Sequence, residues 1–302
     1  MNLGIIGAGR VGLSIGKYFS GCDSVTLTGY YSKTQKSAEE GAAFTGSSVF
    51  TSLRDIFEAS DTLLIATPDD EIRLVWDCIV EECCCSTVLH DNKRICHCSG
   101  SLSSAVFSKN RLSVHGDKPG TGMGNADISV CSMHPMYAFH HKYKSYQQLN
   151  QVFFTLEGDE PAVAAFCRVL SQMGNHYGVI ASENKIKYHC AASMASNLVI
   201  GLLSKSITLL TDCGFEGQAV YEMLEPLVTG NIENVFSAAG GVEKALTGPI
   251  ERGDTRTVKK HLSVLDGEAK SLYQLLGKEL ADISARRHPD RDYGELLQLF
   301  DD

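Results

Sequence analysis

Apolar residues first gather in a short run, Leu3–Ile6, closed by Gly7, and then take up helical spacing over Leu13–Phe19. An apolar run without polar alternation is what a strand buried on both faces of a parallel sheet requires. Runs of the same kind follow at Val25–Tyr31, Thr62–Thr67, Arg94–Cys98, Ser129–Met133 and Val152–Leu156, with helical spacing over Gln35–Phe44 and Asp70–Cys83 between the early ones. The alternation predicts an α/β domain built on a doubly wound parallel sheet. Past Gly158-Asp159-Glu160-Pro161 a helix is expected to about Met173, and a last apolar run covers His176–Ile180. From Ser182 the strand signals stop. Helical stretches punctuated at Cys213-Gly214, Gly230-Asn231, Gly240-Gly241 and Gly248-Pro249 predict an all-α second domain, so the expected domains are residues 1–181 and 182–302.

The turn after the first strand reads Gly7-Ala8-Gly9-Arg10-Val11-Gly12, which fits G-x-G-x-x-G at the place where that pattern has a mechanism. Gly7 permits the tight turn, Gly9 lets backbone approach a pyrophosphate, and Gly12 lets the helix lie close to the strand. The free N–H groups of the helix then face the anion, and the sheet is expected to be of the Rossmann type. In an NAD site the second strand ends in an acid that binds the ribose 2′-hydroxyl. Here it ends Gly29-Tyr30-Tyr31-Ser32-Lys33-Thr34, where Ser32 and Lys33 can donate to a 2′-phosphate, so NADP is expected over NAD. Thr67 and Pro68, at the end of another strand, are expected to line the cofactor site, with Asp70 as cap of the following helix.

Two further strand ends point toward the same edge of the sheet, Cys98-Ser99-Gly100-Ser101 and Ser132-Met133-His134-Pro135-Met136. Ser99 is an expected cofactor contact. His134 is a candidate proton donor or acceptor, since imidazole titrates near neutrality; a turn histidine bonded to backbone is the bland alternative. In the helix expected from Ser182, with Ser182 as N-cap and Glu183 in the first turn, Lys185, His189, Ser193, Ser196 and Asn197 share one sector. Ile186, Cys190, Met194, Leu198 and Leu202 lie opposite. A stripe of Ser, His and Asn along an otherwise apolar helix is expected to face a cleft, with a solvent-facing stripe as the alternative. Cys96, His97 and Cys98 alternate across a strand, and Cys83-Cys84-Cys85 lacks C-x-x-C spacing; with His90 and Cys131 elsewhere, no metal site is expected. Residues 108–127, with four glycines and no period, are expected to be a loop, either a lid or a surface insertion.

Composition narrows the classes. The 302 residues are 43% hydrophobic and 21% charged with only 7 prolines, which excludes a disordered chain. Lys and Arg number 27 against 36 Asp and Glu, a net charge of −9 with no basic cluster, so no nucleic-acid partner is expected. The 11 cysteines, odd in number and irregularly spaced, read as reduced thiols of a cytoplasmic protein. No export signal or membrane anchor is expected from the opening residues.

With Gly7–Gly12, Thr67-Pro68-Asp69-Asp70, His97-Cys98-Ser99-Gly100, Ser132-Met133-His134-Pro135, Tyr188-His189 through Ser196-Asn197, and Leu246-Thr247-Gly248-Pro249-Ile250-Glu251-Arg252-Gly253-Asp254 in order, the chain resembles a known family. It is similar to the Rossmann-like oxidoreductases that carry a C-terminal helical domain of unknown function, the family numbered 2520. The resemblance implies a fold akin to pyrroline-5-carboxylate reductase, ketopantoate reductase and prephenate dehydrogenase, a cofactor between the domains, and a homodimer formed through the helical one. It supplies no substrate. His134 is similar to the histidine of the His-Pro-Met segment of prephenate dehydrogenases, although Ala138-Phe139 stand where a glycine follows there. Lys185 and Asn197 look like the Lys and Asn that related reductases use.

The expectation is an NADP-dependent oxidoreductase acting on a small C=O, C=N or CH–OH substrate, with a non-catalytic dinucleotide sensor as the alternative. His134 with Lys185 or His189 would exchange the proton and Asn197 would orient the substrate. Ser193 and Arg252 are the expected substrate contacts, Arg252 by clamping a carboxylate unless it pairs with Asp254 or Glu251.

Overall fold

The computed structural model describes residues 1–83, 92–107, 128–237 and 240–301. Cys84, Cys85, His90 and the 108–127 loop lie outside the described residues. The chain divides into two compact units, Met1–Ala195 and Ser196–Asp302.

The first unit is an eight-stranded sheet in the order β3-β2-β1-β4-β5-β6-β7-β8. Its strands are β1 (Asn2–Ile6), β2 (Thr26–Tyr31), β3 (Ser48–Val49), β4 (Thr62–Ile65), β5 (Lys93–His97), β6 (Ile128–Pro135), β7 (Phe154–Gly158) and β8 (Tyr177–Val179). Its helices are α1 (Arg10–Phe19), α2 (Gln35–Thr45), α3 (Leu53–Ala59), α4 (Asp69–Cys83), α5 (Glu160–Gln172) and α6 (Lys185–Ala195). The order reverses between β1 and β4, the switch point at which open α/β sheets bind ligands beyond the strands' carboxyl ends. β6 and β7 pair antiparallel and the other neighbours pair parallel, so the sheet is mostly parallel as expected. An apolar run carries no mark of strand direction. β3 and α3 are additions, since two and seven residues are too short to show a period.

Alternate residues of the strands serve opposite layers, as the pleat requires. Leu3, Ile5, Phe154 and Leu156 pack with Leu13, Ile15 and Phe19 of α1 and with Phe166 and Leu170 of α5. Ile6, Ile65, Ile95 and Val130 pack on the other face with Ile56 and Phe57 of α3 and Ile72, Trp76 and Ile79 of α4. Fully burying such a side chain contributes about 1.5–3 kcal/mol, so these two layers fix the strand ends that carry the site. Thr34 and Ser52 cap α2 and α3 by accepting from Ser37 N and Asp55 N. α4 begins one residue earlier than expected, so Asp70 lies inside its acidic first turn and is not its cap.

The first unit runs past residue 181 to Ala195 and includes α6, whose Lys185 is 1% exposed and bonded to Ser99 beyond β5. Ser182 does not cap a helix. It lies in a single 3-10 turn and gives its hydroxyl to Glu157.

The second unit comprises α7 (Asn197–Asp212), α8 (Gln218–Phe236), α9 (Val242–Ala245), α10 (Thr255–Val264), α11 (Gly267–Arg287) and α12 (Gly294–Asp301). Its core gathers Ile250, Val258, Ala281, Tyr293, Leu296 and Phe300, and Asp254 caps α10 through Thr257 N. No α7 residue is buried, and Leu198, Ile200, Leu227 and Phe236 are exposed. The stretch Ser182–Asp212 is long and apolar enough by length and composition to cross a membrane; the opening residues alone could not have indicated this.

Candidate functional site

The first component is the turn from β1 into α1. Gly7 has φ +104°, a conformation open to glycine at little cost. A Cβ on Gly12 would lie 2.0 Å from the Gly7 carbonyl oxygen, so only glycine lets α1 start this close to the strand. Gly9, the N-cap residue, is exposed, and a Cβ there would meet nothing within 4 Å. The first carbonyl taken up by α1 is that of Gly9, by Leu13 N, while Gly7 N donates to the Tyr31 carbonyl at 2.8 Å, so the N–H groups of residues 9–12 have no carbonyl of the preceding turn to bond. No acidic residue occupies the first turn. Ala8 N donates to Ser32 Oγ at 3.5 Å, which joins the glycine turn to the end of β2. Arg10 is exposed, Val11 half-buried and Ala8 buried.

Lys33 is largely exposed and lies 3.5 Å from Glu71 in the first turn of α4. An exposed pair of this kind is weak, so the lysine is available to another anion. At the end of β4, Thr67 keeps its hydroxyl buried with no hydrogen-bond partner, an arrangement that costs free energy unless a ligand completes it. Pro68 beside it is exposed.

The second component lies beyond β5 and β6, beneath α6. Ser99 is held by its own chemistry: its hydroxyl donates to Asp69 Oδ2 at 2.7 Å, as Ser101 does at 2.8 Å, and its carbonyl accepts from Lys185 Nζ at 2.9 Å. His134 Nδ1 is 2.8 Å from the Tyr188 hydroxyl, and its ring stands 6.1 Å from that of His189. Lys185 Nζ lies 6.0 Å from the Tyr188 ring. Gly100 closes the group, since a Cβ there would come 2.9 Å from His134 Nε2 and 2.5 Å from His189 Cδ2. A phenol donates to imidazole nitrogen more strongly than to the nearby Met136 thioether. Tyr188 is therefore assigned as donor to Nδ1, and the ring proton sits on Nε2, facing Gly100.

Burial, with the Lys185 and His189 charges added to it, pushes the His134 imidazole down to about 4. It is neutral at pH 7. Burial lowers the Lys185 ammonium, opposed by Glu157, Cys96 and Asp69, and burial raises the Tyr188 phenol.

His97 is neutral too. Ser99 N donates to its Nδ1, Nε2 donates to the Ser103 carbonyl, and burial takes it to about 4. It pairs in register with Ser132, which pairs with Glu157. One polar row therefore crosses β5, β6 and β7 on a single face, with His134 and Thr155 as the next pair along.

Of the expected site residues, His134, Lys185, His189 and Ser99 come together. Ser193 lies farther along α6, half-buried. The expected stripe does not run on to Asn197, because Ser196 leaves helical geometry (φ −121°, ψ −74°) and Asn197 opens α7 in the other unit, exposed and bonded to Ser196 Oγ. The opposite side of α6 is not buried in this chain, as Ile186 is 75% exposed and Met194 59%. Lys187 is likewise exposed. Arg252 is exposed in the second unit. Its expected partner Glu251 bonds instead to His288 and lies near Arg291. Tyr188, Asp69, His97, Ser132 and Glu157 went unassigned in the sequence. The alternation Ser132, His134 and Thr155, Glu157 was the signal that could have found the polar row.

A Rossmann-like domain is matched by residues 1–111 and the domain of unknown function DUF2520 by residues 152–280. The chain thus carries a Rossmann-like domain followed by a DUF2520 domain. Among solved structures it is similar to a protein from Thermotoga maritima, 24% identical, over 96% of this chain and all of that one, with TM-score 0.69. A Bacteroides fragilis protein with the provisional designation of NADP oxidoreductase is 20% identical, over 93% of this chain and 98% of its own, with TM-score 0.66. Pyrroline carboxylate reductase of Plasmodium falciparum, solved with NADP bound, is 11% identical over 95% and 96%, with TM-score 0.56. At these identities the likeness establishes the fold. No curated protein matches the chain in sequence.

Proposed function

We propose that the protein is an NADP-dependent oxidoreductase that moves a hydride between the nicotinamide and a small C=O, C=N or CH–OH substrate. The observation that carries this reading is a proton-bearing cluster, the buried Lys185 with half-buried His134, Tyr188 and His189, on the same sheet edge as an open glycine turn. The cofactor, when bound, supplies the hydride. Backbone N–H groups of residues 9–12 would hold the pyrophosphate, Ser32 and Lys33 would hold the 2′-phosphate, and the unpartnered Thr67 hydroxyl would complete its bonding on the ligand. Lys185 gives or takes the proton as charge develops on the substrate heteroatom, and His134 donates from Nε2 to the same atom. His189 walls the site, and Ser193, farther along α6, orients the substrate.

The same reading makes the molecule a homodimer through the second unit, because the exposed apolar residues of α7 and α8 suit a second copy of this chain. The described cysteines are all free thiols, which suits a reducing compartment such as the cytoplasm.

The nucleotide part is tested by thermal shift with NADPH and NADH, where larger stabilisation by NADPH is expected and equal or absent stabilisation by both refutes the NADP assignment. Turnover is then sought over 2-keto acids, imines and cyclic dienes, and His134→Ala must lower any rate found. Light scattering tests the dimer.

A further inference from the structure

Glu157 is a carboxylate at 1% exposure that the reading above leaves without a task. Oε2 accepts from Ser104 N at 2.8 Å and Ser132 Oγ at 3.1 Å. Oε1 accepts from Ser104 Oγ at 2.7 Å and Ser182 Oγ. These donors belong to three separate segments, namely the turn after β5, the strand that carries His134, and the turn that leads into α6. Burial pushes the carboxyl up, but the bonds from Ser182, Ser104 and Ser132 outweigh it and hold the group below the ordinary carboxylate value, as an anion.

Three residues after Ser182 comes Lys185, an ammonium at 1% exposure that gives its hydrogen bond to a neutral carbonyl. A buried cation needs an opposite charge nearby to remain charged. The groups that face it are Asp69 from α4, Cys96 and Cys98 from β5 and its end, His97 and His134 on the sheet, and Tyr188 from α6. Both histidines are neutral at pH 7. Burial holds the Cys96 and Cys98 thiols protonated, and Tyr188 is an un-ionised phenol. Asp69 is exposed to water and shared by Ser99 and Ser101. Among the described residues, Glu157 is therefore the fixed, water-shielded negative charge that acts on Lys185.

We propose that Glu157 is the positioning residue of the Lys185 site: it ties the β5 turn, β6 and the start of α6 into one frame and supplies the charge that keeps the Lys185 ammonium protonated. Its part in turnover rests on the oxidoreductase reading, whereas its hold on Lys185 does not. The test is therefore a titration of Lys185 in protein labelled at lysine Cε, followed by NMR, in wild type and in Glu157→Gln. The substitution keeps shape and removes charge. The Lys185 midpoint is expected to fall by about one pH unit or more in the variant, with folding unchanged by circular dichroism. A midpoint that stays in place in folded Glu157→Gln overturns the proposal.

If that variant does not fold, wild type decides. The Lys185 signal must shift a second time at the acidic pH where Glu157 takes its proton, and a signal blind to that step overturns the proposal. Neither titration needs a substrate, so a protein that fails to bind NADPH can still support this inference. Where turnover is found, the basic limb of the kcat profile must move with the Lys185 midpoint while the KM for NADPH stays constant.

Discussion

The glycine turn and the polar layer beneath α6 share one edge of one sheet, yet they are built on opposite terms. The turn works with backbone: its residues are selected for what they lack, a Cβ at Gly12 and at Gly7, and it offers N–H groups to an anion. The layer works with side chains that would be costly to bury singly and are tolerated because each is bonded to another, Lys185 to Ser99, His134 to Tyr188, and Glu157 to three serines. A backbone site can therefore lose a function through an added methyl group. A side-chain site loses it through a removed charge.

The largest expected effect is on the layer. Lys185→Met should lower kcat at least about 10³-fold on whatever substrate is found, and leave NADPH stabilisation as in wild type. A parallel loss of NADPH binding would break the division between the two regions. In the turn, Gly12→Val should cost about 3 kcal/mol in urea denaturation, because its Cβ meets a carbonyl and not a flexible side chain.

Acid separates the regions next. His97 and His134 have folded values near 4 against 6.5 for a free imidazole, so the unfolded chain takes protons between those values while the folded chain does not. Stability is thus full above pH 6.5 and falls as pH drops toward 4, by about 1.4 kcal/mol per pH unit for each group. In His97→Asn, denaturation midpoints measured from pH 7 to 4.5 should slope by about one proton less. Gly9→Ala should fold with stability within about 0.5 kcal/mol of wild type and bind NADPH about tenfold more weakly, since its Cβ enters space used only by a ligand. The smallest effect is that of Lys33→Gln, which should narrow the preference for NADPH over NADH by about 1 kcal/mol in paired titrations.

The same contrast explains what could be read from the sequence. Gly7–Gly12 are contiguous, and their spacing states their geometry, so strand, turn and helix were legible residue by residue. The strands of the sheet other than β3 were legible as apolar runs, but not their direction, which is why the antiparallel β6–β7 pair was missed. The layer is assembled from residues as far apart as Asp69 and His189, and no local period joins them. His134 and Lys185 stood out as chemistry-bearing types, whereas Glu157 looked like any charge near a strand end until Ser104, Ser132 and Ser182 were brought to it. The stripe toward Asn197 failed for a local reason, since the 100° rule holds only while the helix continues and Ser196 interrupts it.

The central claim is that turn and layer serve one reaction, and a crystal structure with NADPH tests it most directly. The pyrophosphate should lie on the N–H groups of residues 9–12 and nicotinamide C4 within about 7 Å of Lys185 Nζ and His134 Nε2, leaving room for one substrate atom at about 3–3.5 Å from each. A nicotinamide directed away from that layer, or a nucleotide bound elsewhere on the chain, would contradict it.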